Sequence, residues 1–164
     1  MKRKKTEASL IDRTSFQVRF SEVDSMKIVW HGEYIRYFED GREAFGKRFG
    51  FSYMDLYDAG YIIPMVEINC EYRSPLRVND KAVVETRFID SKAAKIIFEY
   101  SIFREDNNEL VATGRSVQVF LNKNFELELS CPDVYLNWKN DGVGYTRCER
   151  CNTLMKQSKT KPKK

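Results

Sequence analysis

The chain has 164 residues, 42% hydrophobic and 13% aromatic, enough for one domain with a buried core, and no apolar run approaches the ~20 residues of a membrane helix. The net charge is +4, but nine of the 28 basic residues lie in segments 1–5 and 156–164. The remaining 19 basic residues are outnumbered by 24 acidic ones, so residues 6–155 carry a net charge of −5. They therefore lack the basic surface of a nucleic-acid-binding domain. The basic amino terminus is not followed by the apolar part of a secretory signal, so we expect a cytoplasmic protein with no membrane span and no nucleic-acid partner.

The first predicted elements are a strand and a long helix. Residues 15–21 alternate between apolar and polar side chains, which predicts a strand. In residues 32–49 the apolar positions recur at helical spacing, and Gly50 suits the end of that helix. Gly41 lies on the apolar face of the helix and predicts a close approach to a sheet. A short helical turn is predicted at residues 53–58.

The remainder of the chain is predicted to be rich in β-structure. The predicted strands are 61–72, 81–89, 95–103 and 110–121, followed by a short edge strand at 125–129 and a brief helical or irregular cap at 134–138. A sheet with one long helix must lay that helix across one face, which predicts an α+β fold. If the other face is apolar, a second subunit is its natural cover.

Three segments follow from this pattern. We expect a flexible basic segment at residues 1–13, one folded domain at 14–140, and a tail at 141–164 that ends in basic residues. Solvated ends are the expected state of both basic segments, with contact to an anionic partner as the alternative.

The most informative part of the sequence is residues 19–34, where a strand leads through a polar loop into the long helix. The loop carries two carboxylates, Glu22 and Asp24. Unsatisfied N–H groups and the helix dipole stabilise negative charge at the start of a helix. The same N–H groups can receive an oxyanion that forms during acyl transfer. The segment therefore offers both a base or nucleophile and an electrophilic site.

This segment and a second motif resemble the hot-dog-fold acyl-CoA thioesterases of the 4-hydroxybenzoyl-CoA thioesterase family. The matching positions of the first motif are Phe20, Glu22, Asp24, Ile28, Val29, Trp30, His31, Tyr34, Glu39 and Arg42. The second motif reads Tyr72-Arg73-Ser74-Pro75-Leu76, followed by Asp80. The resemblance covers residues 14–138. It implies a hot-dog fold, in which an antiparallel sheet wraps around one long helix, and dimers that join two sheets edge to edge.

The resemblance also implies the roles of the residues in the first motif. Asp24 would be the catalytic carboxylate, acting as nucleophile or as general base toward water. A backbone N–H near His31, at the start of the long helix, would polarise the thioester carbonyl, and the His31 side chain is expected to contact the active site. Trp30 and Tyr34 are expected to form walls of the acyl pocket or core.

Two further acids, Glu22 and Glu39, are alternative candidates for a catalytic role. Glu22 is expected to support the site and not to act as a second catalytic acid, because two adjacent carboxylates would raise the pKa of one of them. Other hot-dog thioesterases use a glutamate of the helix, so Glu39 is a reserve catalytic acid. Its simpler interpretation is an ion pair with Arg42, three residues along the helix.

CoA has phosphates that require cations, and Lys27, Lys92 and Lys95 are the candidates, with Arg77 and Arg104 as further options. Lys27 replaces a glycine of the family. Glycine at such a position often has a positive φ or lies close to a ligand. A lysine fits there if the turn differs slightly, and its ammonium is a candidate for contact with a CoA phosphate or for an ion pair with Glu22.

The four cysteines do not predict a disulfide framework, because the chain has no secretion signal. Cys148 and Cys151 form one C-x-x-C, whereas a structural zinc site needs four ligands. We expect incidental cysteines, no metal and no cofactor. The alternative is an intermolecular zinc or redox pair through Cys148 and Cys151.

The sequence therefore predicts an acyl-CoA thioesterase that releases a free carboxylic acid and CoA, assembled as a homodimer or homotetramer. An acyl-carrier-protein thioesterase would have similar chemistry with a different docking surface. A non-catalytic acyl- or CoA-binding module would bind without turnover. A hot-dog dehydratase fits less well, because it needs a histidine paired with an acid across the interface and only His31 is available.

Overall fold

The computed structural model describes residues 10–145, and their side chains up to residue 141. In chain order the elements are β1 (Ile11–Gln17), a 3₁₀ turn (Phe20–Glu22), α1 (Glu33–Phe49), α2 (Tyr53–Asp58), β2 (Met65–Tyr72), β3 (Lys81–Ile89), β4 (Lys95–Arg104), β5 (Leu110–Val119) and α3 (Asp133–Tyr145). The five strands form one antiparallel sheet in the order β1-β3-β4-β5-β2. Helix α1 packs on one face of this sheet, which confirms the predicted α+β fold.

Helix α1 has the predicted bounds within one residue. Its apolar stripe is buried against the sheet, with Tyr34 at 3% exposure and Phe38 and Phe45 at 0%. Gly50 ends the helix in the left-handed conformation at φ 66°, and its N–H donates to the carbonyl of Gly46. Because glycine has no Cβ, it adopts this conformation without steric cost.

Gly41 allows α1 to approach the sheet closely, as predicted. A Cβ at this position would lie 2.3 Å from Oγ1 of Thr86 and 3.2 Å from a methyl group of Val84, both on β3. These distances are shorter than van der Waals contact. The cost of glycine within a helix, about 1 kcal/mol relative to alanine, is thus offset by direct helix–sheet packing.

Strand β1 begins and ends earlier than predicted. It pairs with β3 from Ile11 to Gln17, so the prediction of residues 15–21 is wrong, and the fold already includes residues assigned to the flexible segment 1–13. After β1 the carboxylate of Glu22 accepts a hydrogen bond from the N–H of Arg19 at 2.7 Å. This bond closes a 3₁₀ turn, which directs the chain away from the sheet. Phe20, expected on the buried face, is 83% exposed in that turn.

The predicted edge strand at 125–129 is a loop. Its one ladder contact is an isolated bridge between Leu121 and Leu127. The side-chain oxygen of Asn122 accepts the backbone N–H groups of Asn124 and Glu126 at 2.8 and 3.1 Å. These local bonds favour a turn over a strand because they occupy the donors that a ladder would need.

Helix α3 is longer than the predicted brief cap at 134–138. It runs for 13 residues, and Tyr135 on its inner face is fully buried. The indole N–H of Trp138 donates to the carbonyl of Phe49 at 2.9 Å, so α3 also closes the end of α1. Among the helices of residues 10–145, none is long and apolar enough to cross a membrane.

The face of the sheet opposite α1 is charged at its centre. Arg87, Glu99 and Arg115 are paired in register across β3, β4 and β5, so their charges alternate in sign. The charged centre does not need an apolar cover, whereas Ile89, Ile97 and Val117 give the same face an apolar part. On the edge strand β2, Val66, Ile68 and Tyr72 are exposed apolar side chains.

Candidate active site

The loop between the 3₁₀ turn and α1 closes on itself at Asp24. The N–H of Asp24 donates to the carbonyl of Ile28, and the N–H of Lys27 donates back to the carbonyl of Asp24, both at 2.9 Å. Lys27 adopts φ 63°, the conformation expected of the family glycine. The lysine thus takes the left-handed conformation itself, at a cost of about 1 kcal/mol.

The Asp24 carboxylate is held in place by this loop. Its Oδ1 accepts the N–H of Met26 at 2.8 Å, an Asx turn that orients the side chain. Within the part of the chain that the structure describes, this is the carboxylate's single hydrogen bond. The group is half-buried, so its remaining lone pairs are available to a ligand or a water molecule.

The start of α1 presents backbone donors. The N–H of Trp30 donates to the carbonyl of Glu22, and the N–H of Glu33 donates to the carbonyl of Trp30, each at 2.9 Å. By contrast, the N–H groups of His31 and Gly32 donate to no atom of residues 10–145. Free N–H groups at the amino end of a helix are the donors that an oxyanion requires.

Asp24 and the helix start line one cleft of about 360 Å³, here called the Asp24 cleft. Its walls include Asp24, His31, Tyr34, Tyr72, Ser74 and Pro75. Burial raises the pKa of the Tyr34 hydroxyl, which therefore stays neutral. The neutral aromatic walls suit the binding of an uncharged carbonyl group. The carboxylate can act as base or nucleophile, and the free backbone donors can stabilise a developing negative charge.

Trp30 and Glu22, both predicted site residues, do not line the Asp24 cleft. The Trp30 ring covers Gly32, where a Cβ would lie 2.1 Å from it, so Trp30 packs on the outside of the helix start. Glu22 accepts the hydroxyl of Tyr37 at 3.0 Å as well as the N–H of Arg19, and it thereby ties the loop to α1. Burial, followed by this bond to Glu22, raises the pKa of Tyr37.

Glu39 lies in a second cleft of about 400 Å³, together with Arg42 and Tyr53. The predicted ion pair between Glu39 and Arg42 is wrong, because Arg42 turns inward and donates to the hydroxyl of Tyr100 at 3.1 Å. Arg42 is 8% exposed, and its Nε is buried without a hydrogen-bond partner among residues 10–145.

The three candidate lysines are far apart in the chain's own fold. Lys27 is exposed in the loop of Asp24. The loop of Asp24 contacts Leu76, shortly before the start of β3, whereas Lys92 and Lys95 follow the end of that strand. Strand β3 has nine residues and spans roughly 30 Å. The carbonyl of Lys95 accepts the hydroxyl of Tyr135. Within one subunit, only Lys27 is next to the Asp24 cleft.

One wall of the cleft, which the sequence does not predict, comes from the end of β2 and the loop after it. Tyr72, Arg73, Ser74 and Pro75 all line the cleft. The signal was present, since these residues belong to the second motif, but the motif carried no assigned role. The backbone bond from the N–H of Val29 to the carbonyl of Leu76, at 2.8 Å, brings this loop against the loop of Asp24.

No group of three or more histidine, cysteine, aspartate or glutamate side chains in residues 10–145 is arranged to hold a metal ion. Cys70 and Cys131 are free thiols there. Cys148 and Cys151 lie outside the described residues, as do both basic segments.

Comparison with known proteins places this architecture in a family. Residues 18–138 match the family model of the thioesterase-like superfamily. YneP of Bacillus subtilis, named a putative acyl-CoA thioesterase, is 37% identical over 93 residues, which are 57% of this chain and 67% of YneP. The structure of a DHNA-CoA thioesterase from Staphylococcus aureus is 25% identical, with a TM-score of 0.72 over 84% of this chain and 91% of that one.

A third likeness concerns the fold alone. An aspartate-to-asparagine variant of 4-hydroxybenzoyl-CoA thioesterase, solved in complex with 4-hydroxybenzoyl-CoA, is 17% identical, with a TM-score of 0.68 over 78% of this chain and 97% of that one. The family match spans most of the chain, and the solved structures share its sheet and helix. The chain therefore belongs to the thioesterase-like superfamily and has the hot-dog fold that its two sequence motifs predict.

Proposed function

We propose that the protein is an acyl-CoA thioesterase that hydrolyses its substrate to a free carboxylic acid and CoA. The observation that carries the proposal is the shared cleft of the Asp24 carboxylate and the free N–H groups at the start of α1. Thioesters are activated acyl donors, so a carboxylate and an oxyanion site suffice without a full catalytic triad. We place the activity in the cytoplasm and assign it no metal or redox cofactor.

Asp24 can act in two ways in this cleft. As general base, it accepts a proton from water while the water oxygen bonds to the acyl carbon, and the C–S bond then breaks as the proton passes to the CoA sulfur. As nucleophile, it bonds to the acyl carbon itself, expels CoA thiolate, and the resulting anhydride is hydrolysed. In both routes the N–H of His31 would stabilise the oxyanion.

Thiol release from a panel of thioesters tests the proposed function. The panel contains short, medium, long and aromatic acyl-CoAs, each matched by the same acyl group on acyl carrier protein. Faster turnover of at least one acyl-CoA supports the proposal. Preference for the carrier-protein partner of each pair would favour an acyl-carrier-protein thioesterase. Binding of acyl-CoA in a calorimeter with no thiol release would indicate a binding module.

We further propose that the protein forms a homodimer, or a homotetramer of two such dimers, through strand β2. This strand ends the sheet, and its far edge has no ladder partner within the described residues. Val66, Ile68 and Tyr72 along it are 59%, 36% and 50% exposed. A long apolar edge strand is a template for pairing with another chain, and antiparallel pairing of two identical strands has the two-fold symmetry of a dimer.

Val66→Lys is expected to halve the mass of the assembly in sedimentation velocity, because a charge within the paired edges cannot be desolvated without cost. Val78→Lys is the matched control, since Val78 is 39% exposed but lies in the loop after β2. Equal masses for the two variants would argue against pairing through β2.

Lys27→Gly tests the proposed contact with CoA phosphate. Glycine accepts the φ of 63°, so the loop is expected to persist while the charge is lost. We expect KM for the preferred acyl-CoA to rise about threefold to tenfold, as for the loss of one charged contact of about 0.7 to 1.4 kcal/mol, with kcat retained. KM for the corresponding pantetheine thioester, which lacks the nucleotide phosphates, is expected to stay constant. Unchanged KM for both substrates would transfer the role to Lys92 and Lys95 of a second subunit, testable with their alanine variants.

A further inference from the structure

Tyr72 connects the end of β2 to the start of α1. Its hydroxyl donates to the backbone carbonyl of His31 at 2.8 Å, across 41 residues of sequence. Its ring packs edge-on against Tyr34, with ring centroids 5.1 Å apart and planes at 88°. Both rings line the Asp24 cleft, so this hydrogen bond lies at the proposed reaction centre.

The bond restrains the residue that carries the proposed oxyanion donor. The N–H of His31 belongs to the Trp30–His31 peptide, whose carbonyl accepts the N–H of Glu33. The next peptide, His31–Gly32, is held through its carbonyl by Tyr72. Because peptide units are planar, fixing the planes on both sides of the His31 Cα fixes its two backbone dihedral angles. Gly32 follows directly, and a glycine leaves the chain free to rotate unless other contacts restrain it.

The same bond has an electrostatic consequence. A backbone carbonyl beside the cleft presents the negative end of its dipole to any charge that develops there. When the hydroxyl of Tyr72 donates to it, the positive end of the O–H dipole partly cancels the negative end of the carbonyl dipole. Without that donor, the carbonyl of His31 would oppose the oxyanion that the neighbouring N–H stabilises.

We propose that Tyr72 is a positioning residue for thioester hydrolysis, which holds the carbonyl of His31 so that the N–H of His31 is aimed at the oxyanion. This inference rests on the proposed function. The core does not need the hydroxyl, because Tyr72 is half-exposed on an edge strand. Burial, followed by the nearby thiol of Cys70, raises the pKa of Tyr72 to about 12. The hydroxyl thus keeps its proton, and can donate, at any pH below that value.

The test compares Tyr72→Phe with Tyr61→Phe, which removes a hydroxyl that makes no hydrogen bond within the described residues and lies outside the Asp24 cleft. We expect Tyr72→Phe to lower kcat about tenfold, less than the 10²-fold or more of deleting an oxyanion donor outright. KM and the affinity for a non-hydrolysable CoA thioether are expected to match the control, since neither reports on the transition state. The shape of the pH–rate profile is expected to be unchanged.

A second readout does not depend on turnover. Amide hydrogen exchange in the peptide spanning residues 29–34 is expected to be faster in Tyr72→Phe than in Tyr61→Phe, because one restraint on that backbone is gone. Equal exchange would overturn the inference even if the wild type hydrolyses nothing. Equal kcat in the two variants would overturn it when the wild type is active, as would a raised KM with unchanged kcat, which would indicate a substrate contact. Absence of hydrolysis by the wild type, with faster exchange in Tyr72→Phe, would instead overturn the proposed function alone.

Discussion

Asp24→Asn is expected to lower kcat for acyl-CoA hydrolysis by about 10³-fold, in the range for loss of a positioned general base. Asparagine retains a side-chain oxygen that can accept the N–H of Met26, so the loop around position 24 is expected to persist. The amide can neither take a proton from water at neutral pH nor form an acyl anhydride. The variant therefore removes the chemistry of the carboxylate while leaving the cleft in place.

Asp58→Asn is the matched control for this variant, since Asp58 is exposed at the end of α2 and makes no side-chain hydrogen bond within the described residues. Free-thiol release is measured for both variants, with thermal unfolding to verify the fold. A rate for Asp24→Asn within threefold of the control would reject Asp24 as the reacting group. Glu39 would then be the next acid to test, in its own cleft with Arg42.

A single turnover in ¹⁸O-labelled water bears on the two routes. Direct attack by water puts the labelled oxygen into the product acid. If Asp24 is the nucleophile, an anhydride forms between its carboxylate and the acyl group. When water then attacks the carboxyl carbon of Asp24, the product takes an unlabelled oxygen from Asp24 and the label remains on the enzyme.

The elements that could be predicted from the sequence are those whose ends are set by local chemistry. Helix α1 ends at Gly50, which the sequence shows directly, and β3 occupies the predicted residues 81–89 because polar turn residues bound its alternating pattern. The alternating pattern predicts β1 too late in the chain, because alternation alone does not show where a strand leaves its partner. That point depends on the bond from Arg19 to Glu22 and on the register of Gln17 with Lys81.

The candidate site likewise contains residues that the sequence predicts and residues that only tertiary packing brings there. Asp24 and His31 are seven positions apart in one motif, and the turn between them brings both into one cleft. Tyr72 reaches the same cleft from the other side of the fold, and only the packing of the β2–β3 loop places it there. The orientation of Arg42 toward Tyr100 is likewise a tertiary effect, and helical spacing predicted Glu39 as its partner instead.

Gly114 is a second position where the absence of a side chain determines packing, and its substitution has the largest expected effect on stability. It lies in β5, between Tyr100 of β4 and Cys70 of β2. A Cβ there would lie 2.4 Å from the fully buried ring of Phe38 and 2.7 Å from the backbone carbonyl oxygen of Asn69. The ring belongs to α1 and the carbonyl to β2, so neither can move without shifting an entire element.

Gly114→Ala is therefore expected to lower the free energy of unfolding by about 3 kcal/mol, at the upper end of the usual cost of overpacking a core. Thr113→Ala, at the next position on the opposite face of β5, is the control and is expected to change it by less than about 1 kcal/mol. Urea denaturation followed by circular dichroism measures both. Phe38 is one turn along α1 from Tyr34, so a helix displaced by the new methyl group would also displace the donors at its start. Activity is then expected to fall together with stability in Gly114→Ala, and a variant as stable as Thr113→Ala would show that the sheet can yield at this point.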